Sequence, residues 1–308
     1  MKITVVLVTF NRLDCLKQAL EKYEDQTLQP FRIIVVNNCS TDGTSDFLNK
    51  WKSEVGNIKR EVLTTTKNLG GAGGFATGLK LASRYTDTDW IWLADDDAYP
   101  EKNAMEVLSD AYNNINNNSD DNVAALFTSV INFGKYDLNH RRRVQKKIHG
   151  VNFIPVQNNL YDQDYFEINQ GSYVGMLVKT SALNQAGITR EDYFIYFDDT
   201  EHTERLNKIG KLVCVPNARV VHDVTDDHGI SWKSYYSIRN SIRMIFDNYG
   251  IFFGSIEVLK KYLKLASGFN RTYSKEVRTM FKIAIEDALK KNMGLHEIYK
   301  PGWKPEGY

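Results

Sequence analysis

The stretch Trp90-Ile91-Trp92-Leu93-Ala94-Asp95-Asp96-Asp97 decides the fold, because an apolar run breaks without any linker into three carboxylates. A short apolar run bounded by polar residues reads as a strand buried on both faces, the kind found in parallel sheets. Upstream of it, apolar β-rich runs alternate with amphipathic ones. The pattern predicts strands at Ile3–Thr9, Phe31–Val36 and Ile58–Thr65, with helices around Leu13–Tyr23, near Thr44–Lys52 and from the glycine-rich segment to about Arg84. Alternation with short connections implies βαβ units and a mainly parallel sheet flanked by helices. Ligands of such sheets bind beyond the carboxyl ends of the strands. The four segments found there are Phe10-Asn11-Arg12, Asn37-Asn38-Cys39-Ser40, Lys67-Asn68 with the glycines that follow, and Asp95-Asp96-Asp97. All are polar or glycine-rich, and they should converge.

Downstream, residues 113–121 read as a polar connecting loop, and Val123–Ile131 as a strand. The basic stretch Arg141-Arg142-Arg143 with Lys146-Lys147 reads as an exposed hairpin face that could also touch phosphate or an anionic membrane. From about Trp232 the spacing turns helical, continuing near Gly254–Leu265 and Lys275–Lys290, so a C-terminal helical subdomain is expected over 231–308. The remaining 1–230 form the sheet-bearing domain in two halves, 1–100 and 101–230, which the family resemblance given below implies are nucleotide-binding and acceptor halves.

The chain's 308 residues are 42% hydrophobic and 25% charged, the composition of an ordinary folded, soluble protein. Lys and Arg total 39 against 38 Asp and Glu, and the formal net charge of +1 offers no field for gripping nucleic acid. Three scattered cysteines, Cys15, Cys39 and Cys214, suit neither a zinc site nor a disulfide framework and suggest a reducing compartment. The N-terminal apolar run lacks a signal-peptide cleavage site, and no run of 18 apolar residues follows it. A cytoplasmic protein is expected.

Three adjacent carboxylates repel one another unless a cation or solvent relieves them. In extended chain Asp95 and Asp97 would point one way and Asp96 the other. Carboxylate oxygens suit Mg²⁺ or Mn²⁺, which also take oxygens from a diphosphate. The segment Asn68-Leu69-Gly70-Gly71-Ala72-Gly73-Gly74-Phe75 lets backbone approach a ligand, yet matches neither a Walker loop nor a dinucleotide fingerprint. The cluster Asp198-Asp199-Thr200-Glu201, after Tyr193-Phe194-Ile195-Tyr196-Phe197, reads equally as a helix cap or as the seat of a general base. His222, ending an apolar strand, could complete an Asp/Asp/His set favouring Mn²⁺. His228, Arg239 and Asn240 could contact a phosphate. The rings of Tyr193–Phe197 with Trp232, Tyr235 and Tyr236 could form an acceptor platform or fill a core.

Taken together, Val8-Thr9-Phe10-Asn11-Arg12, Val35-Val36-Asn37-Asn38-Cys39-Ser40-Thr41-Asp42-Gly43-Thr44, the glycine-rich segment and the acidic triplet resemble the inverting family 2 glycosyltransferases of the GT-A fold. The resemblance spans about residues 1–250. Within the family the chain looks most like bacterial galactofuranosyltransferases, with rhamnosyltransferases second. The resemblance implies metal ligation by Asp95, Asp97 and His222, and a catalytic base at Asp199. It also implies a nucleotide edge of Thr9, Phe10, Asn11, Arg12, Asn37, Asn68, Gly73, Gly74, Asp95 and Asp96. Many relatives carry Asp at Asn37, where a uracil ring is thought to be read; Asn can still accept through its carbonyl. Thymine presents the same ring edge, so dTDP-sugars stay open beside UDP-sugars.

The implied reaction is metal-dependent inverting transfer of a sugar, galactofuranose from UDP-galactofuranose in the first instance. The acceptor would be a growing cell-surface glycan or a lipid-linked oligosaccharide, as in bacterial capsule or cell-wall polysaccharide biosynthesis. The alternatives are a rhamnosyltransferase using dTDP-rhamnose, or a non-catalytic glycan-binding protein of the same fold. A nucleotidyltransferase would place a glycine-rich basic loop after the first strand, where this chain has Asn11-Arg12-Leu13. The apolar, basic tail leaves peripheral contact with the inner face of the cell membrane, or a homo-oligomer, as further expectations.

Overall fold

The computed structural model describes residues 1–118, 122–225, 229–266 and 273–306. Strand and helix alternate as β1 (Ile3–Thr9), α1 (Leu13–Glu24), β2 (Arg32–Asn37), α2 (Thr44–Ser53), β3 (Lys59–Thr64), α3 (Gly70–Ala82) and β4 (Trp90–Asp95). Then come β5 (Tyr99–Pro100), α4 (Ala104–Asn118), β6 (Val123–Asn132), β7 (Lys135–Tyr136), β8 (Arg141–Lys147) and β9 (Gly150–Pro155). The chain continues through β10 (Phe166–Ile168), β11 (Gln170–Gly171), β12 (Met176–Lys179), α5 (Thr180–Ala186), α6 (Asp198–Asn207), β13 (Lys211–Val221), α7 (Trp232–Ala266) and α8 (Lys275–Lys290).

The main sheet runs β10-β13-β6-β12-β4-β1-β2-β3. Its β4-β1-β2-β3 half is parallel throughout, β13 is parallel to β6, and β12 and β10 are antiparallel insertions. The mixed, mainly parallel sheet expected from the sequence is therefore present. Alternation along β1 explains its two-sided burial: Val5 and Leu7 join α1, α2 and α4 in one core, whereas Val6 and Val8 join α3, α5 and α6 in the other. A third core, around Tyr235, Tyr236, Met280 and Phe281, joins α7 to α8.

Two expectations need correction. Residues 113–118 are not loop but the end of α4, whose Leu108 and Ile115 fall on one helical face and are buried. Asn113, Asn114, Asn116 and Asn117 are exposed, so the helix is held by burial of its other face despite weak intrinsic propensity; 119–121 lie outside the described residues. The C-terminal helices are present as expected, the stretch from Trp232 being divided from the one near Gly254–Leu265 at Gly250, whose φ of +84° and ψ of 177° are not helical. A short second sheet, β11-β8-β9, holds the basic stretch as the expected hairpin, but Arg141 is not on its exposed face: it is fully buried and donates to the carbonyls of Thr128 and Val174.

Candidate active site

β4 delivers Asp95 at its last residue, and the chain then turns, so the strand alternation expected across the triplet stops there. Asp96 and Asp97 consequently share one partner, Arg12, which follows β1. Asp96 is buried and accepts from Thr9 Oγ1 at 2.6 Å and from Arg12 Nη1 at 3.3 Å. Asp97 accepts from Arg12 and lies 3.4 Å from His222 Nε2, brought in by the end of β13. Strand ends β1, β4 and β13 thus meet at one acidic centre.

The electrostatics separate the three carboxyls. Burial, then the like charges of Asp97 and Asp96, push Asp95 up to about 7. Burial also lifts Asp96 to about 6, against the donors Thr9 and Arg12. Burial opposes the Asp97 charge as well, but His222 and Arg12 prevail and hold it at about 2. Asp199 belongs to the same field, because its charge raises Asp95 further.

His222 Nδ1 is buried with no hydrogen-bond partner, and the ring meets His140 edge-on at 5.6 Å between centroids. His140 in turn lies 3.5 Å from Asp137 Oδ2 and 2.7 Å from Ser172 Oγ. As the side chains stand, no three His, Cys, Asp or Glu residues among those described converge as an ion's ligands. The donor types nevertheless fit a divalent cation: Asp97 and His222 adjoin, Asp95 is a buried carboxyl in their field that a cation would favour in its charged form, and His222 keeps an unspent nitrogen.

The remaining nucleotide-edge candidates divide. Phe10 is exposed at the end of β1, while Asn11, at φ +52°, holds the next loop by accepting from the Thr41 N–H at 2.7 Å. Asn37 is fully buried; its Oδ1 accepts from the Ser40 N–H and its Nδ2 donates to Ser45 Oγ, so both ends shape its own loop. Asn68 Oδ1 accepts from Asn38 Nδ2 and from the Gly70 N–H. Sequence reasoning passed over Asn38, which ties the second strand-end loop to the third, and Asp42, which ties it to the first by accepting from the Leu13 N–H. Asn and Asp in such loops are the available signal, since both bond readily to nearby backbone.

Gly73 and Gly74 are not a ligand cradle. The segment forms the first turns of α3, and a Cβ on Gly73 would stand 2.5 Å from Leu69 Cβ, one on Gly74 2.4 Å from Val8 Cγ1. The missing Cβ of Gly74 lets α3 lie close on Val8 of β1, whereas that of Gly73 leaves room for Leu69 in the turn before the helix. Gly70 has φ +72°, and a Cβ there would reach 2.0 Å from the Phe194 carbonyl oxygen, which also accepts from the Ala72 N–H. The glycine segment therefore docks against the loop that precedes Asp199.

That loop is strained: Phe194, Tyr196 and Phe197 all have φ +65°. Asn240 Nδ2 lies within 2.8–2.9 Å of the carbonyls of Tyr193, Ile195 and Tyr196, and Arg239 reaches Tyr193 and Gly294 carbonyls. Arg239 and Asn240 are fully buried in this work, not placed for a phosphate, and His228 lies outside the described residues. The strained turn puts Asp199 in the first turn of α6, where its Oδ1 accepts from the Thr200 N–H at 2.6 Å and Oγ1 at 3.1 Å. No hydrogen bond to Oδ2 is found among the described residues. Asp199 is thus a member of the helix, not its cap. It borders a cavity of about 370 Å³ with His140, Arg142, Gln170, Ser172, Tyr196 and Phe197. Of the aromatic candidates Tyr196 and Phe197 face this cavity, whereas Tyr193, Phe194, Tyr235 and Tyr236 are core.

Comparison with known proteins bears on this arrangement. Residues 4–174, more than half of the chain, match Glycosyl transferase family 2. Galactofuranosyltransferase GlfT1 of Mycobacterium tuberculosis is 40% identical over 96 residues, 31% of this chain and 30% of that protein. GlfT1 of Mycolicibacterium smegmatis is 35% identical over 98 residues, 32% and 30% of the two chains. The chain spans about a third of the length of these curated relatives. Among solved structures, S. aureus TarS 1-349 in complex with UDP superposes with a TM-score of 0.59 at 16% identity, over 94% of this chain and 80% of that one. GalNAc-T7 with UDP, GalNAc and Mn²⁺ gives 0.61 at 14% identity, over 94% and 56%. These likenesses establish the GT-A architecture.

Proposed function

The chain belongs to glycosyl transferase family 2, and from that premise we propose that it moves a sugar from a nucleoside diphosphate to a hydroxyl with inversion at the anomeric carbon. What supports this reading most is the convergence of Thr9, Arg12 and His222 on the acidic triplet, with Asp199 near enough for its charge to act on Asp95. The division of labour follows the chain: 1–100 for the nucleotide, 101–230 for the acceptor, and 231–308 as a helical subdomain. Thr9, Phe10, Asn11, Arg12, Asp95 and Asp96 would face the donor, while Asn37, Asn68, Gly73 and Gly74 would shape its walls.

Asp95, Asp97 and His222 would hold the divalent cation, Mn²⁺ or Mg²⁺. When bound, the ion supplies positive charge to the leaving diphosphate. Arg12, fixed by Asp96 and Asp97, is the chain's own cation at the same place. Asp199 Oδ2 would take the proton of the acceptor hydroxyl as its oxygen bonds to the anomeric carbon. The carbon–oxygen bond to the diphosphate breaks in the same displacement, and the electron pair leaves with the nucleotide. General-base help of this kind is typically worth about 10²–10⁴ in rate.

The donor we propose is UDP-galactofuranose, on the strength of the galactofuranosyltransferase relatives. A growing glycan or lipid-linked oligosaccharide is the acceptor class, presented beside Tyr196 and Phe197. The test is thermal stabilisation by UDP, dTDP, GDP and CMP with Mn²⁺ or chelator, on wild type, Asp97→Ala and Asp199→Asn, followed by transfer assays. Binding to the folded state raises its stability by mass action. The expected result is a Mn²⁺-dependent shift with UDP, absent in Asp97→Ala and retained in Asp199→Asn, which should lose transfer. A dTDP preference would move the donor to dTDP-rhamnose; no shift with any nucleotide would overturn the reading in favour of glycan binding without catalysis.

A further inference from the structure

The second part of α7, residues 251–266, packs one apolar face and exposes another. Val258 and Leu265 turn inward against the core that α7 shares with α8. On a helix Phe252, Leu259, Tyr262 and Leu263 follow one another at i, i+7, i+10 and i+11, a single stripe roughly opposite the charged residues. That stripe points to solvent: Phe252 is 58% exposed, Leu259 56% and Leu263 58%, with Ile251 beside them at 78%. Ile251, Phe252, Ser255, Ile256 and Leu259 line a shallow, almost wholly apolar hollow of about 380 Å³. A clustered apolar stripe of this kind, unlike scattered apolar residues, marks a contact surface.

Cations border it. Lys260 stands at one edge of the stripe and, with Lys261 on the far face of the helix, shares one carboxylate, Glu257, at 3.6 and 3.1 Å. The turn of the β8–β9 hairpin rests on this flank, since Gly150 lies against Lys260 and Ile256. Immediately before that turn stand Lys146, Lys147 and Ile148, the last 84% exposed. In a chain whose formal net charge is only +1, this is a local excess of positive charge around exposed apolar side chains.

We propose that this face lies on an anionic lipid bilayer, with the 251–266 stripe and Ile148 set among acyl chains and Lys146, Lys147 and Lys260 at the headgroups. Charge decides the occupant. A second copy packing symmetrically on the stripe would bring the same lysines face to face, whereas anionic headgroups complement them. No helix among the described residues is long and apolar enough to cross a membrane, so the contact is peripheral. The same hairpin runs back from Lys147 to Arg142 in the cavity wall, five residues or roughly 17 Å of strand. This surface stands on exposure and charge alone and does not depend on the transferase reading.

The test is flotation of the full chain with large unilamellar vesicles of phosphatidylcholine, alone or with phosphatidylglycerol, at low and high salt. Wild type should float with the phosphatidylglycerol vesicles, lose most binding at high salt, and stay behind with phosphatidylcholine alone. Lys146→Glu/Lys147→Glu should weaken binding by at least about fivefold for each lysine, the equivalent of about 1 kcal/mol. Phe252→Ser/Leu259→Ser/Leu263→Ser should abolish it, with circular dichroism and thermal stability retained because those side chains contribute little to the core. Absence of binding to anionic vesicles at low salt, or unchanged binding by the triple variant, would overturn the proposal. Concentration-dependent dimerisation that the triple variant abolishes, without vesicle binding, would assign the face to a second copy.

Discussion

Alanine at Gly74 and at Gly71, three residues apart in the same helix, should move stability in opposite directions. A Cβ at Gly74 would stand 2.4 Å from Val8 Cγ1 and 3.3 Å from Cγ2, where carbon atoms prefer about 3.5–4.0 Å. Val8 cannot retreat easily, because β1 is paired to β2 on one side and β4 on the other, Val8 itself lying in register with Val36 and Asp95. Overpacking of this kind costs about 1–3 kcal/mol, offset by about 1 kcal/mol from replacing a helical glycine. The net expectation for Gly74→Ala is a loss of about 0–2 kcal/mol, toward the upper end because Val8 is pinned between two strands. At Gly71 nothing lies within 4 Å of the added carbon and the backbone is helical, so only the gain remains, about 0.5–1 kcal/mol. Urea unfolding followed by tryptophan fluorescence would measure both, with UDP-dependent stabilisation recorded alongside. A Gly74→Ala protein as stable as wild type but impaired in UDP binding would refute the packing argument and restore the ligand-cradle reading.

Thr9→Val should destabilise by about 1–3 kcal/mol in the same urea assay, because it strips the 2.6 Å hydrogen bond from the buried Asp96 carboxylate; an unchanged midpoint would show that Asp96 is satisfied otherwise. Asn240→Ala should leave UDP-dependent stabilisation in place and lower kcat, by roughly 10²-fold if Asp199 moves by about an ångström, since three carbonyl contacts of the strained turn disappear; equal losses in binding and turnover would argue for general unfolding. Buried His202, bonded to Tyr173 and Gly187, is pushed down by burial to about 3 against an unfolded value near 6.5. Between those values the unfolded chain binds more protons, so stability falls as pH drops below about 6.5, by about 2 kcal/mol at pH 5 from this group. Comparing wild type with His202→Gln at pH 7 and pH 5 isolates it, and an identical pH response in the two proteins would discount the histidine.

The N-terminal strands were legible because burial on both faces leaves little ambiguity: the apolar runs at Ile3–Thr9 and Trp90–Ala94 end where polar residues begin. The carboxyl-end rule then gathered Arg12 and the acidic triplet without any coordinates. Glycine was less informative, since close approach to a ligand and close approach to Val8 demand the same missing Cβ, and only the neighbour's position separates them. Asparagine hid the most. In α4 a run of asparagines masked a helix anchored by Leu108 and Ile115, whereas in α7 a single Asn240 holds carbonyls 44–47 residues upstream. No local pattern reports a contact of that sequence separation. Yet three non-glycine residues in left-handed backbone cost of order 1–3 kcal/mol each, and such strain persists only where the surroundings over-determine it. The donors that offset it come from α7, and the carboxylate it aims is Asp199. The C-terminal helices are therefore better understood as part of the apparatus that positions Asp199 than as a cap laid over a finished site.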